Sequence, residues 1–188
     1  MKLNLRQTEI TVRYEAAAAL TAALLFDREG VLLCCLLCAM MHESGHLLMM
    51  MFFHVRIRSI RLGLFDTKIV SDEPMTKSQD LWITAAGVLM NFFLAAVCFW
   101  FSRRLFLSNL CIGIFNLLPV ESLDGGRLLS VLLCKRFSPS VSDRVMRILS
   151  FFVLIPFLFG GIFILLRTGY NYSLLFSAVY LLAVLFFR

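Results

Sequence analysis

The chain has 188 residues, 60% of them hydrophobic, with 19 phenylalanines and a formal net charge of +6. A soluble domain of this size has too small an interior to hide so much apolar surface, which excludes a soluble enzyme and points to a polytopic membrane protein. In that setting the basic excess reads as the enrichment of Lys and Arg on the cytoplasmic side rather than as a nucleic-acid footprint, so no nucleic-acid partner is expected.

Apolar segments separated by polar punctuation predict about six spans. Met1 to Tyr14 carries Lys2, Arg6 and Arg13, and a short Ala-rich stretch, about Glu15 to Phe26, follows and ends at Asp27-Arg28-Glu29-Gly30. It lacks a small-residue cleavage site, so a retained first span is expected rather than a removed signal peptide. The second span runs from Val31 to Phe53. After it, Val55 to Val70 reads VRIRSIRLGLFDTKIV. Apolar and basic residues alternate there with a phase slip at Ser59, which suits one or two short strands turning near Gly63 or Asp66. A basic amphipathic loop on the anionic leaflet is the equal alternative.

The third span covers about Leu81 to Phe101 and stops at Arg103-Arg104. A fourth, Leu105 to about Cys134, is interrupted by Pro119 and by Asp124-Gly125-Gly126. The fifth, Val145 to Leu166, holds Pro156 and Gly160-Gly161, residues that kink a helix or let a neighbour approach closely. The sixth is Tyr170 to Phe187. The expected fold is therefore an all-α polytopic membrane protein of about six transmembrane helices, with a possible small β element after the second. With no repeats or long linkers, residues 1–188 are expected to form a single domain.

Counting Lys and Arg sets the orientation. With the N-terminus inside, cytoplasmic segments hold 13 and the opposite side four (Arg28, Arg103, Arg104, Arg167), Arg127 being left out as internal to the fourth segment. Both termini are expected in the cytoplasm of a multi-pass cell-membrane protein. The six cysteines fall in or beside apolar runs, which does not describe a disulfide framework.

His42-Glu43-Ser44-Gly45-His46 lies near the middle of the second span. An ionised carboxylate there costs roughly 2.5–3.5 kcal/mol on insertion scales, so polar groups in this place call for a function. Histidines at i and i+4 share one helix face and can reach one metal ion, with Glu43 beside that face to take a proton from a bound water. The bland alternative is a pair of histidines hydrogen-bonded to neighbouring helices, and the hydrocarbon setting disfavours it. Cys38, one turn earlier, offers a soft ligand, although small buried thiols more often simply pack.

A catalytic zinc takes three protein ligands and keeps one position open. His54 is about 12 Å along the helix from His46 at 1.5 Å per residue, too far to share the ion. Asp66, Asp72, Glu73 and Asp80 fall in a polar loop, and Asp27 and Glu29 on the wrong side. Glu121 and Asp124 remain, and Asp124 is the better candidate. It follows Pro119 and precedes two glycines, and broken helix at membrane depth is tolerated where it lines a cavity. A helix-capping role for Asp124 is the competing reading.

HESGH in the second of six spans, paired with Asn116-Leu117-Leu118-Pro119-Val120-Glu121-Ser122-Leu123-Asp124-Gly125-Gly126, resembles the site-2 protease family of intramembrane zinc metalloproteases. Ala86-Gly87-Val88-Leu89-Met90-Asn91 looks like that family's small-Gly-Pro-x-x-Asn motif, with Val88 in place of the proline, and Glu121 and Ser122 stand where many members have prolines. The resemblance covers nearly the whole chain. It has neither a PDZ-like insertion nor a nucleotide-sensing domain after the sixth span, a minimal layout similar to the sporulation-type (stage IV FB-like) peptidases of bacteria.

The resemblance implies one Zn2+ ion held by His42, His46 and Asp124, with Glu43 as catalytic base, and cleavage of a membrane-embedded protein substrate within or near the lipid bilayer. Asn116 and Asn91 are candidates for binding the substrate backbone or the oxyanion, or equally for an interhelical hydrogen-bond pair. A regulatory membrane partner is a further expectation. The alternative function from another class is a non-catalytic membrane zinc-binding or substrate-capturing protein. An intact Glu43 is the feature that a merely structural site would not require.

Overall fold

The computed structural model describes residues 2–5, 8–12, 27, 30–62, 67–71, 74–169 and 172–187. In chain order the elements are β1 (Lys2–Leu5), β2 (Thr8–Val12), α1 (Val31–Phe52), β3 (Ile57–Leu62), β4 (Thr67–Ser71), α2 (Lys77–Cys98), α3 (Arg103–Asn116), α4 (Asp124–Leu133), α5 (Pro139–Thr168) and α6 (Ser173–Phe187). The first predicted span, about 15–26, lies outside the described residues. Among the described residues three helices, α1, α2 and α5, are long and apolar enough to cross a membrane, and α6 is a shorter apolar helix. The predicted fourth span resolves into α3, a turn over 117–123 and α4.

The chain divides into two compact units, Met1–Gly113 and Ile114–Arg188. In the first, the strands form one sheet in the order β1-β2-β3-β4. The β1–β2 and β3–β4 pairs are antiparallel and the β2–β3 pair is parallel. Leu3, Ile10, Ile60 and Ile69 stand opposite one another in register. An irregularity in the β3–β4 ladder falls between Ile57 and Ser59, where the alternation in the sequence slips. The residues of the β3–β4 connection, 63–66, are not among those described.

α1 begins where Asp27 supplies both carboxylate oxygens to its first turn, Oδ1 to the Val31 N–H at 3.1 Å and Oδ2 to the Leu33 N–H at 3.0 Å. These are orphan donors at a helix start, and a carboxylate there also meets the positive end of the helix dipole. At the far end His54 adopts a left-handed φ of 54°. The Val55 N–H then reaches back to the Met50 carbonyl at 2.9 Å and the His54 N–H to Met51 at 3.0 Å. This is a Schellman-type stop with histidine where glycine is usual. His54 thus ends the helix.

α2 opens with a capping box. The Gln79 N–H donates to Thr76 Oγ1 at 3.2 Å, and the Thr76 N–H donates to Gln79 Oε1 at 3.0 Å. α2 runs unbroken through Val88, where the resembling motif would place proline. α1 and α2 pack together. A Cβ built on Gly45 would stand 2.7 Å from the Ala86 carbonyl oxygen, so only glycine admits this approach of the two backbones.

In the second unit a core forms around Val120, Leu154 and Leu181, with Phe115, Leu118, Leu123 and Tyr180 packed against it. Leu181 and Tyr180 come from α6, Leu154 from α5 and Val120 from the turn before α4, so the turn is anchored by burial. Pro139 takes the first-turn position in α5, where its missing N–H is harmless. Of the two glycines in mid-α5, Gly161 carries the close packing. A Cβ there would come within 2.6 Å of the Leu175 backbone, whereas Gly160 has only Leu174 Cδ2 at 3.7 Å.

Candidate metal centre

The HESGH segment is helical throughout, so one turn separates His42 from His46 and places both rings on the face of α1 that meets α2. Their Nε2 atoms are 3.2 Å apart. The rings stand nearly perpendicular, with centroids 4.8 Å apart. His42 is buried and His46 half-buried. Two nitrogens bound to one tetrahedral zinc at 2.0–2.1 Å would be about 3.4 Å apart, close to this separation.

The opposite edge of each ring decides which nitrogen carries the proton. His46 Nδ1 lies 2.8 Å from the backbone carbonyl of Ile83. A carbonyl only accepts, so Nδ1 is the N–H and Nε2 of the neutral ring holds a lone pair. His42 Nδ1 lies 2.8 Å from Asn91 Oδ1. The Asn91 amide nitrogen points to two oxygens of Asn109, the backbone carbonyl at 3.5 Å and Oδ1 at 3.4 Å. That orientation leaves Oδ1 to accept from His42, whose Nε2 likewise becomes a lone pair. Two lone pairs facing each other at 3.2 Å repel unless a proton or a cation lies between them, so the pair fits a divalent metal.

Gly87 is what lets α2 come up to this pair. A Cβ on it would collide with the His46 ring and stand 2.8 Å from His42 Nε2. The remaining residues of the motif have local uses. The Ser44 hydroxyl donates to the Met41 carbonyl at 2.6 Å, and Gly45 makes the close approach to Ala86. Glu43 is half-buried, adjacent to His42 on α1. Cys38 is 2% exposed, one turn before His42 on the buried face.

Asp124 and Asn116 belong to the second unit, at opposite ends of the 117–123 turn. Asn116 is the last residue of α3 and Asp124 the first of α4. The N-cap position is Leu123, so Asp124 is one residue past the place a capping aspartate takes. Asp124 is half-buried, with Oδ2 shielded from solvent. The glycines after it are required by crowding. A Cβ on Gly125 would collide with the Leu117 carbonyl and lie 2.6 Å from Leu118 O, and one on Gly126 would collide with the Val120 carbonyl. The turn folds back against the first turn of α4, and the Glu121 N–H is held by Ser150 Oγ of α5 at 2.8 Å.

Of the residues singled out in the sequence, the structure brings His42, His46 and Asn91 together. Asn91 is 0% exposed, its carboxamide held between His42 and Asn109, the interhelical pairing that stood as the alternative to substrate contact. Asn109 belongs to no motif. Its signal in the sequence is a carboxamide inside the apolar run Leu105–Phe115, where a polar side chain needs a partner.

Residues 101–160 match the sequence pattern of peptidase family M50. The fold is similar to that of the site-2 protease from Methanocaldococcus jannaschii, with a TM-score of 0.71 and 20% sequence identity over 96% of this chain and 91% of that one. No curated protein matches the chain in sequence. The M50 match contains the Asn116–Gly126 segment but not HESGH.

Proposed function

We propose that this chain, a member of the site-2 protease family of intramembrane metalloproteases, hydrolyses a peptide bond in a transmembrane or membrane-associated segment of a protein substrate. The family pattern and the shared fold support the assignment. The observation that carries the chemistry is the 3.2 Å approach of the two Nε2 atoms, with an oxygen acceptor at the Nδ1 edge of each ring.

The ion is assigned to His42, His46 and Asp124, the ligand set that the resemblance to the site-2 protease family implies. Two imidazoles and a carboxylate suit zinc and leave a fourth position for water or substrate. When bound, the zinc ion supplies a Lewis acid that acidifies water and polarises the scissile carbonyl. Glu43 takes the proton from the attacking water and passes it to the leaving amine. His42 and His46 keep their proton-bearing edges on Asn91 and Ile83, so the ligand edges stay oriented through the cycle. Asn116 is assigned to the substrate backbone at the mouth of the 117–123 turn.

A substrate helix hides its carbonyls in i to i−4 bonds and must unwind before attack. An unpaired edge of the four-stranded sheet offers backbone donors and acceptors to the extended segment by strand addition. The excess of Lys and Arg assigns both termini to the cytoplasmic side of a multi-pass cell-membrane protein. Residues 1–188 act as one catalytic domain, and a membrane partner gates access.

Comparing membrane proteomes of cells carrying wild-type chain or Glu43→Gln tests the reading, together with metal analysis of both purified proteins. The expected result is a truncated membrane protein made only by the wild type, a cleavage rate about 10²–10⁴-fold lower for Glu43→Gln, and equal zinc in both. His46→Ala should lose the zinc. Equal zinc with no cleavage product from either protein would point to metal or substrate capture without catalysis.

A further inference from the structure

We infer that Asn109 is a positioning residue for the metal centre, setting the tautomer of His42 from a third helix; this rests on the metal-binding reading above. The chain of polarity starts in α3. Asn109 Nδ2 donates to the Leu105 carbonyl at 2.9 Å, one turn back in its own helix. With its nitrogen fixed there, Oδ1 is turned outward and accepts from Asn91 Nδ2 at 3.4 Å, beside the Asn109 backbone carbonyl at 3.5 Å. Asn91 is thereby prevented from flipping its amide, and Oδ1 is the atom left to accept from His42 Nδ1 at 2.8 Å. The whole relay is dry, with Asn91 at 0%, Asn109 at 2% and His42 at 5% exposure.

The consequence is electronic as well as steric. A flipped Asn91 would present its NH2 group to His42 and favour the tautomer with the proton on Nε2, the nitrogen a metal needs bare. The two contacts between Asn91 and Asn109 are long, near the limit of a hydrogen bond. Either oxygen alone is a weak hold, and the side chain of Asn109 supplies one of the two. The acceptor at His46 Nδ1, by contrast, is a backbone carbonyl, which cannot be inverted.

The test uses full-length protein in nanodiscs. The chain has three histidines, so selective 15N-histidine labelling resolves the tautomers, with His46→Ala and His54→Ala for assignment. In metal-free wild type, His42 should show one neutral tautomer with Nε2 unprotonated. Asn109→Leu and Asn109→Ala should both give a mixture at His42 alone and bind Co(II) about 10–100-fold more weakly in chelator competition, the range for loss of an outer-shell partner. Asn91→Asp places a carboxylate that only accepts. Combined with Asn109→Leu it should restore the single tautomer and most of the affinity, which a merely structural role for Asn109 would not.

A single wild-type tautomer in both Asn109 variants, or weakened binding that Asn91→Asp does not recover, overturns the inference. If the wild type binds no Co(II) at all, the metal reading fails. The 15N spectrum of the metal-free protein then still decides whether Asn109 sets the tautomer.

Discussion

At the scale of single residues, the candidate metal centre is defined as much by a missing side chain as by those present. Gly87 faces both imidazoles, and a methyl group there has to displace the His46 ring or push α2 away from α1. Overpacking of this kind costs about 1–3 kcal/mol. Gly87→Ala is therefore expected to lower the thermal midpoint and to weaken Co(II) binding, both measurable on purified protein. Gly160→Ala is the matched control. Its new methyl meets only Leu174 Cδ2 at 3.7 Å, and alanine is the better helix former, so its midpoint should hold or rise. If Gly87→Ala binds cobalt like wild type, the rings do not occupy the place assigned to them.

At the scale of elements, the turn over 117–123 is held from two sides, by burial of Val120 and by α5. Ser150 accepts the Glu121 N–H at 2.8 Å and donates to the Met146 carbonyl at 2.7 Å, with 0% exposure. Ser150→Ala strands a backbone donor, a loss of about 1–3 kcal/mol. Ser142, equally buried, makes only contacts of 3.4–3.5 Å to Ser130, so Ser142→Ala should cost less. Thermal denaturation of the two variants checks the order. Equal midpoints would mean that the turn is not anchored through Ser150.

The same elements show what the sequence makes legible. The histidine spacing, the Pro119 break and the Asp124 glycines are local patterns, readable because helix periodicity and turn chemistry act over a few residues. The alternation in Val55–Val70, with its slip at Ser59, leaves strands and an amphipathic loop equally open, and the structure forms β3 and β4 there. β1 and β2 are less readable, since Lys2–Leu5 and Thr8–Val12 are too short to display a period convincingly. The place of β2 is decided by pairing with β3, some fifty residues away, and β1 follows by pairing with β2. Asn109 shows in the sequence only as a carboxamide in an apolar run that needs a partner. Its role depends on which helix lies beside it, and nothing near it in the chain encodes that.

At the scale of the molecule, length and charge place α5 in the bilayer. Its 30 residues would span about 45 Å at 1.5 Å per residue, against a hydrocarbon core of about 30 Å. About ten residues must leave the core, and they are not shared evenly between the ends. Arg144 and Arg147 are exposed near the N-terminal end of the helix, just after exposed Lys135 and Arg136, whereas Arg167 is the lone cation in its last turn. Each cation near the anionic leaflet contributes about 1 kcal/mol, so this end is expected at the cytoplasmic surface. Ser140→Cys, with the native cysteines replaced, should react with a membrane-impermeant maleimide in inverted vesicles and stay unlabelled in right-side-out ones. Thr168→Cys should show the reverse. The opposite pattern would invert the orientation of α5.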